Sequence, residues 1–241
     1  MSSSRSYPNR RPLGHGRANP ADTPAKTRDA ASMIVWRDGP QGAEVLMGRR
    51  SHRAAFLPEF FVFPGGRIDP ADYTVWPATQ IDDTAINRMG VRRNKSLAIA
   101  LATTAVRETF EETGLLLAEK GDVGPVAHSD WEYWKARGLA PALHNLNYFG
   151  RAITSPISPI RFHARFFIVN ATALQGQLGG SGELSDLGFY PATTILEHML
   201  IVDVTEFILK RVLDYRNSPV DFDSRTPVFS YKNEKPFVRY E

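Results

Sequence analysis

The sequence predicts an α+β fold in which a mixed β-sheet is sandwiched between helices. Two observations carry that expectation. Strand-like and helix-like segments mix without regular alternation, and one helix, Leu97 to Glu112, is sharply marked by its apolar spacing and its stop signal. The 241 residues, 42% hydrophobic and 23% charged, suffice for one sizeable core. The absence of cysteine excludes disulfide staples, thiol nucleophiles and thiolate zinc sites. No apolar run approaches the roughly 18 residues of a membrane span.

Taken in order, "ASMIVWRDG" and "AEVLMGRR" are apolar runs separated by the polar, glycine-containing Asp38 to Gly42, and read as two antiparallel strands. "FFVFPGGRID" reads as a short buried strand, Phe60 to Phe63, broken by Pro64-Gly65-Gly66. Residues 73 to 95 are irregular and polar and close on the basic cluster "RMGVRRNK". The helix then follows, with Ser96 as expected N-cap and Gly114 as left-handed stop. Ile99, Ala102, Val106 and Phe110 form its apolar stripe, with Glu108 and Glu112 on the opposite side. "LLLA" reads as a strand. "RFHARFFIVNA" reads as another, with Phe162, Ala164, Phe166 and Ile168 on one face. "GQLGGSGELSD" is expected to be a flexible loop, "LGFYP" a short strand, and "ATTILEHMLIVDVTEFILKRVLDYRN" one or two helices.

The basic pI, near 9.2, has a local origin. Residues 1–29 hold six Lys/Arg against Asp22 and Asp29, leaving 23 basic and 24 acidic residues in a near-neutral body. This proline-containing tail is expected to be disordered. Residues 30–216 are expected to form one domain, with 217–241 as an extension that the pattern does not place. A nucleic-acid partner is not expected of such a body.

The stretch "AVRETFEETG" poses a physical problem. Glu108, Glu111 and Glu112 crowd the last turn of a helix, where the dipole repels carboxylates. Glu108 and Glu112 are also four apart on one face, which destabilises an isolated helix. A divalent cation is the expected compensation.

With Gly66, these residues resemble the Nudix box, G-x5-E-x7-R-E-U-x-E-E-x-G-U, with U apolar. Arg107, Glu108, Glu111, Glu112, Gly114 and Leu115 fall in register. Asp72 stands at the first glutamate, Thr109 replaces an apolar residue, and 34 residues rather than 7 separate Asp72 from Arg107. An insertion at this point, about 73–96, is similar to that of the coenzyme A diphosphatase branch. The text "VLMGRRSHRAAFLPEFFVFPGGRIDPAD" and "PIRFHARFFI" resembles that branch too.

The resemblance implies a Nudix fold with an insertion before the catalytic helix, and a Mg2+- or Mn2+-dependent diphosphatase acting on a nucleotide derivative. Coenzyme A or its acyl derivatives are the expected substrates, with ADP-ribose or NADH as alternatives. A non-catalytic nucleotide-sensing or partner-binding module is the rival class. Glu108, Glu111 and Glu112 are the implied metal ligands, joined by a carbonyl of the Gly65-Gly66 turn, with Arg107 orienting a carboxylate. Glu183 is a candidate ligand or base. Arg92 and Arg93 in the insertion, and Arg161 and Arg165 on one strand face, are candidates for substrate phosphates. His163 shares that face. Trp131, Tyr133 and Trp134 read as packing residues, with adenine stacking as the alternative. A cytoplasmic location is expected, and a homodimer is compatible with everything above.

Overall fold

The computed structural model describes residues 10–11, 25–54, 56–92, 94–126, 128–218 and 225–241. Most of the basic tail, and Arg93, therefore lie outside the described residues. The named strands are β1 (Arg28–Gly39), β2 (Gly42–Arg50), β3 (Phe61–Val62), β4 (Gly65–Arg67), β5 (Asn147–Ile153), β6 (Phe162–Asn170), β7 (Leu184–Pro191), β8 (Pro227–Lys232) and β9 (Lys235–Tyr240). The helices are α1 (Asp83–Arg88), α2 (Lys95–Thr113), α3 (Ser129–Ala136), α4 (Ala192–His198) and α5 (Asp203–Asn217).

Among the described residues one sheet of nine strands organises the molecule, in the order β7-β2-β1-β6-β5-β8-β9, with β3 on β2 and β4 on β1. The β1–β6 and β5–β8 pairings are parallel and the others antiparallel, so the sheet is mixed. Strand alternation sends side chains to two cores. Ala31, Met33, Val35 and Phe167 meet α2, while Ile34, Val45, Phe166 and Ile168 meet α4 and α5. The sheet is thus sandwiched between helices, as the α+β expectation requires.

Several local expectations are corrected. The helix cap is Asn94 rather than Ser96: its side chain accepts from the Leu97 amide at 3.0 Å. Gly114 does close the helix, at φ 74°. The helix does not bury one stripe only, because Thr103, Thr104, Arg107, Thr109 and Glu112 are buried as well. The segment before it is less irregular than its composition suggests. It forms α1 and sinks Val75, Ile81, Ile86, Met89 and Val91 into the core with α2. Residues 227–240 form the β8–β9 hairpin, which extends the sheet through β5 and buries Val228 and Phe229. Trp131 and Trp134 pack on each other and, through Trp134, on Phe110, which makes them core residues.

Candidate active site

The acidic end of α2 is built against a run of glycines. The last carbonyls of a helix lack intrahelical partners. Here Gly179 donates to the Thr113 carbonyl and Ser181 to the Glu111 carbonyl, each at 2.9 Å. A Cβ on Gly180 would stand 2.2 Å from the Glu112 carbonyl oxygen, so only glycine permits this approach. The segment read as a flexible loop is therefore docked on the helix end, and its amides bring positive dipole ends to the acidic turn. It also delivers Glu183 to the cavity described below.

Arg107 is the hub beneath the turn. Its guanidinium contacts Asp72 twice, Nε to Oδ1 at 2.8 Å and Nη2 to Oδ2 at 3.1 Å. Nη1 reaches both Glu111 oxygens at 3.1 Å, and Nη2 meets Glu108 Oε1 at 3.0 Å and the Arg67 carbonyl at 3.1 Å. Asp72 is wholly buried and also accepts from Thr104 and the Asp69 amide. Burial opposes the charge of Arg107, but Asp72, Glu108 and Glu111 more than offset it and hold its pKa above the ordinary value.

Glu112, and Glu108 while still paired with Arg107, line a cavity of about 450 Å3 that they share with Glu183, Gly65, Gly66 and Arg50. Glu112 Oε2 accepts from the Gly65 amide at 2.9 Å. A Cβ on Gly66 would lie 2.3 Å from Glu108 Oε1, so the missing side chain is what lets this carboxylate reach the turn. Phe56, Leu57, Val62 and Phe166 supply apolar walls.

The electrostatics are those of desolvated like charges. Burial first, then Glu108 and Glu183, push Glu112 up to about 8, against the opposing pull of the Gly65 amide and Arg50. Burial pushes Glu111 up to about 7 against Arg107, and raises Glu108 as well. Oxygen donors of this kind, two carboxylates beside a glycine turn, fit a hard divalent cation. Magnesium characteristically takes one or two carboxylates and keeps several waters. Among the described residues no three acidic or histidine side chains are grouped to hold an ion, and Glu111, expected as a ligand, is turned to Arg107 and does not line the cavity.

Of the arginines expected at substrate phosphates, Arg92, Arg161 and Arg165 do not line the glutamate cavity. Arg92 and Arg165 line a second cavity with Arg151 and His163, away from the glutamates. For Arg165 and His163 strand parity is the reason: odd positions of β6 face the body of α2, whereas Ala164 and Phe166 line the cavity at its acidic end. Arg161 donates to the Ala25 and Thr154 carbonyls, at 2.9 and 3.4 Å. The cations that do line the glutamate cavity, Arg50 and Arg67, were not singled out in the sequence. Their signal was proximity: both flank the segment that ends in the Gly65-Gly66 turn.

No protein-family model matches the chain. The crystal structure of a NUDIX hydrolase from Alicyclobacillus acidocaldarius is 31% identical, with a TM-score of 0.62, over 83% of this chain and 97% of that one. A relative this similar over nearly its full length decides the matter: the chain belongs to the Nudix hydrolase family. The acyl-coenzyme A diphosphatase NUDT19 of Gallus gallus is 32% identical over 104 residues, which are 34% of this chain and 28% of that protein. Its Xenopus laevis counterpart is 32% identical over 95 residues, 31% of this chain and 25% of that protein. The matches thus span about a quarter of the length of these curated relatives.

Proposed function

We propose that the protein hydrolyses a phosphoanhydride in a nucleoside diphosphate linked to a second moiety, with Mg2+ or Mn2+ as cofactor. The observation that carries this reading is the pair of Glu108, partly buried, and Glu112, buried, packed against the Gly65-Gly66 turn in one cavity with Glu183. Coenzyme A or an acyl-coenzyme A is the favoured substrate, split by water into an adenosine 3′,5′-bisphosphate and a phosphopantetheine. The named activity of the curated relatives supports that choice.

In this mechanism Glu108, Glu112 and a carbonyl of the Gly65-Gly66 turn hold the cation. Bound there, the cation neutralises diphosphate charge and lowers the pKa of water. The chain's own groups do the rest. Arg107, locked by Asp72 and Glu111, positions Glu108 without entering the cavity. Arg50 offers a guanidinium to a diphosphate oxygen; its buried Nε lacks a protein partner. Glu183, exposed on the docked loop, stands at the cavity rim with a carboxylate free to accept a proton from the attacking water. The phenylalanine walls accommodate the apolar parts of the substrate and limit water access.

The test is incubation of the pure protein, with Mg2+ or Mn2+, against coenzyme A, acetyl-coenzyme A, ADP-ribose and NADH, with products identified by mass spectrometry. A phosphopantetheine product is expected. Cleavage of ADP-ribose or NADH alone would keep the chemistry and overturn the substrate. Cleavage of none by folded, metal-loaded protein would overturn the enzymatic reading in favour of a nucleotide-sensing or partner-binding module.

A further inference from the structure

Arg165 and Arg151 stand directly opposite one another on β6 and β5, on the sheet face that carries α2. Like charges at opposed positions of neighbouring strands repel, and here both side chains are largely withdrawn from solvent. Arg165 is 2% exposed and the Arg151 side chain 9%. Arg165 is held by Asp29 and by the Met89 and His163 carbonyls. Arg151 meets Glu241 and, at 3.1 Å, the His163 ring, yet its Nε is buried without a partner. A fold retains such a pair at a cost.

The pair lines a polar cavity of about 670 Å3, completed by Asp29, His163, the first turn of α2 at Leu97, and Asn87, Gly90 and Arg92 of the preceding segment. Arg92 reaches it from a left-handed backbone conformation, φ 49°, that a long side chain rarely adopts. Strain of this kind collects where a side chain must be aimed. Burial, then Arg165 and Arg151, hold the His163 pKa down to about 3, so the ring is neutral at pH 7 and adds hydrogen bonding without charge. Three arginines therefore line one cavity with Asp29, and Glu241 pairs Arg151 from the side while also meeting Arg239. Once Glu241 is released, two positive charges remain in excess, the charge that a phosphate dianion cancels.

We propose that this cavity binds the phosphate group of a small ligand, at a second site separate from the glutamate cavity, with Glu241 as an internal competitor for Arg151. Three planar guanidinium forks suit a tetrahedral oxyanion better than a single carboxylate. The site stands on its own geometry and does not depend on the hydrolytic reading.

The test is calorimetric titration of the full chain in EDTA, at constant ionic strength, with inorganic phosphate and separately with adenosine 5′-monophosphate; chloride is the control. Arg92→Gln, at an exposed position, is expected to weaken phosphate binding about tenfold, the worth of one charge-assisted contact. Glu241→Gln is expected to tighten it by a similar factor, a gain that misfolding does not mimic. Glu112→Gln should leave it unchanged, which separates the two cavities. Binding of the nucleotide without inorganic phosphate would assign the site to organic phosphomonoesters. The proposal is overturned if neither ligand binds at 10-millimolar order, or if Arg92→Gln and Glu241→Gln leave the affinity of the bound ligand unaltered.

Discussion

Arg107 and Asp72 form a two-point ion pair with both side chains buried, 2.8 Å from Nε to Oδ1 and 3.1 Å from Nη2 to Oδ2. It ties the middle of α2 to the turn at Asp69–Tyr73, across the 34 residues that separate the partners in sequence. A buried pair loses most when one partner goes, because the survivor stays desolvated and uncompensated. Asp72→Ala should therefore cost about 3–5 kcal/mol in urea denaturation. A loss below about 1 kcal/mol would mean that Glu108 and Glu111 suffice to hold Arg107.

Glu112→Gln separates function from stability. The amide oxygen still accepts from the Gly65 N–H, while a buried charge beside Glu108 disappears. Stability of the metal-free protein should hold or rise. Turnover on the proposed substrate should fall about 10³-fold, near 4 kcal/mol of barrier. Near-normal turnover would remove Glu112 from the reaction.

Magnesium supplies a readout that needs no substrate. A ligand that binds only the folded chain raises its melting temperature. Millimolar Mg2+ should do so for the wild-type protein and fail to do so for the Glu108→Gln, Glu112→Gln double variant. An equal shift in both proteins would place the cation elsewhere.

Gly66→Ala tests the close approach of the turn. The added Cβ would sit 2.3 Å from Glu108 Oε1, the far end of a flexible side chain, so the fold should survive while Glu108 is pushed aside. A displacement of this size at the chemistry should cost about 10²-fold in kcat. Gly65→Ala is the harsher change, with its Cβ 2.4 Å from the Ala31 carbonyl oxygen, and should lower the melting temperature outright. The idea fails if Gly66→Ala retains full kcat.

His163 sets a pH dependence with a definite sign. Its folded pKa is depressed to about 3, by burial and then by Arg165 and Arg151, with Arg239 adding and Glu241 opposing. The unfolded value lies near 6.5. Between those values the unfolded chain binds a proton that the folded chain does not, so stability falls as pH falls from about 6.5 toward 3. His163→Gln should lose about 1 kcal/mol less than wild type between pH 7 and 5, allowing for partial exposure. Parallel curves for the two proteins would refute the assignment.

The local grammar of this chain was legible without coordinates. The helix and its Gly114 stop, the first strand pair, the strand at 162–170 and the glutamate cluster beside a glycine turn each rest on spacing within a few residues, and spacing is a property of sequence. The Asn94 cap was missed because Ser96 competes for the same role at equal chemical merit, and only the backbone path chooses between them.

What the tertiary structure alone decided is how those pieces face one another. Helical periodicity places Glu111 beside Glu108, but only the burial of Asp72 next to Arg107 draws Glu111 away from the cavity. Strand alternation puts His163 and Arg165 on one face; tertiary packing determines that they meet the start of α2 at Leu97 rather than the glutamates at its end. The glycine-rich stretch 176–182 reads as flexible because glycine costs entropy to order. It is ordered nonetheless, because the unpaired carbonyls of a helix more than 60 residues earlier require its amides. Sequence specifies the donors, acceptors and charges; which of them meet is set by long-range packing that no local pattern contains.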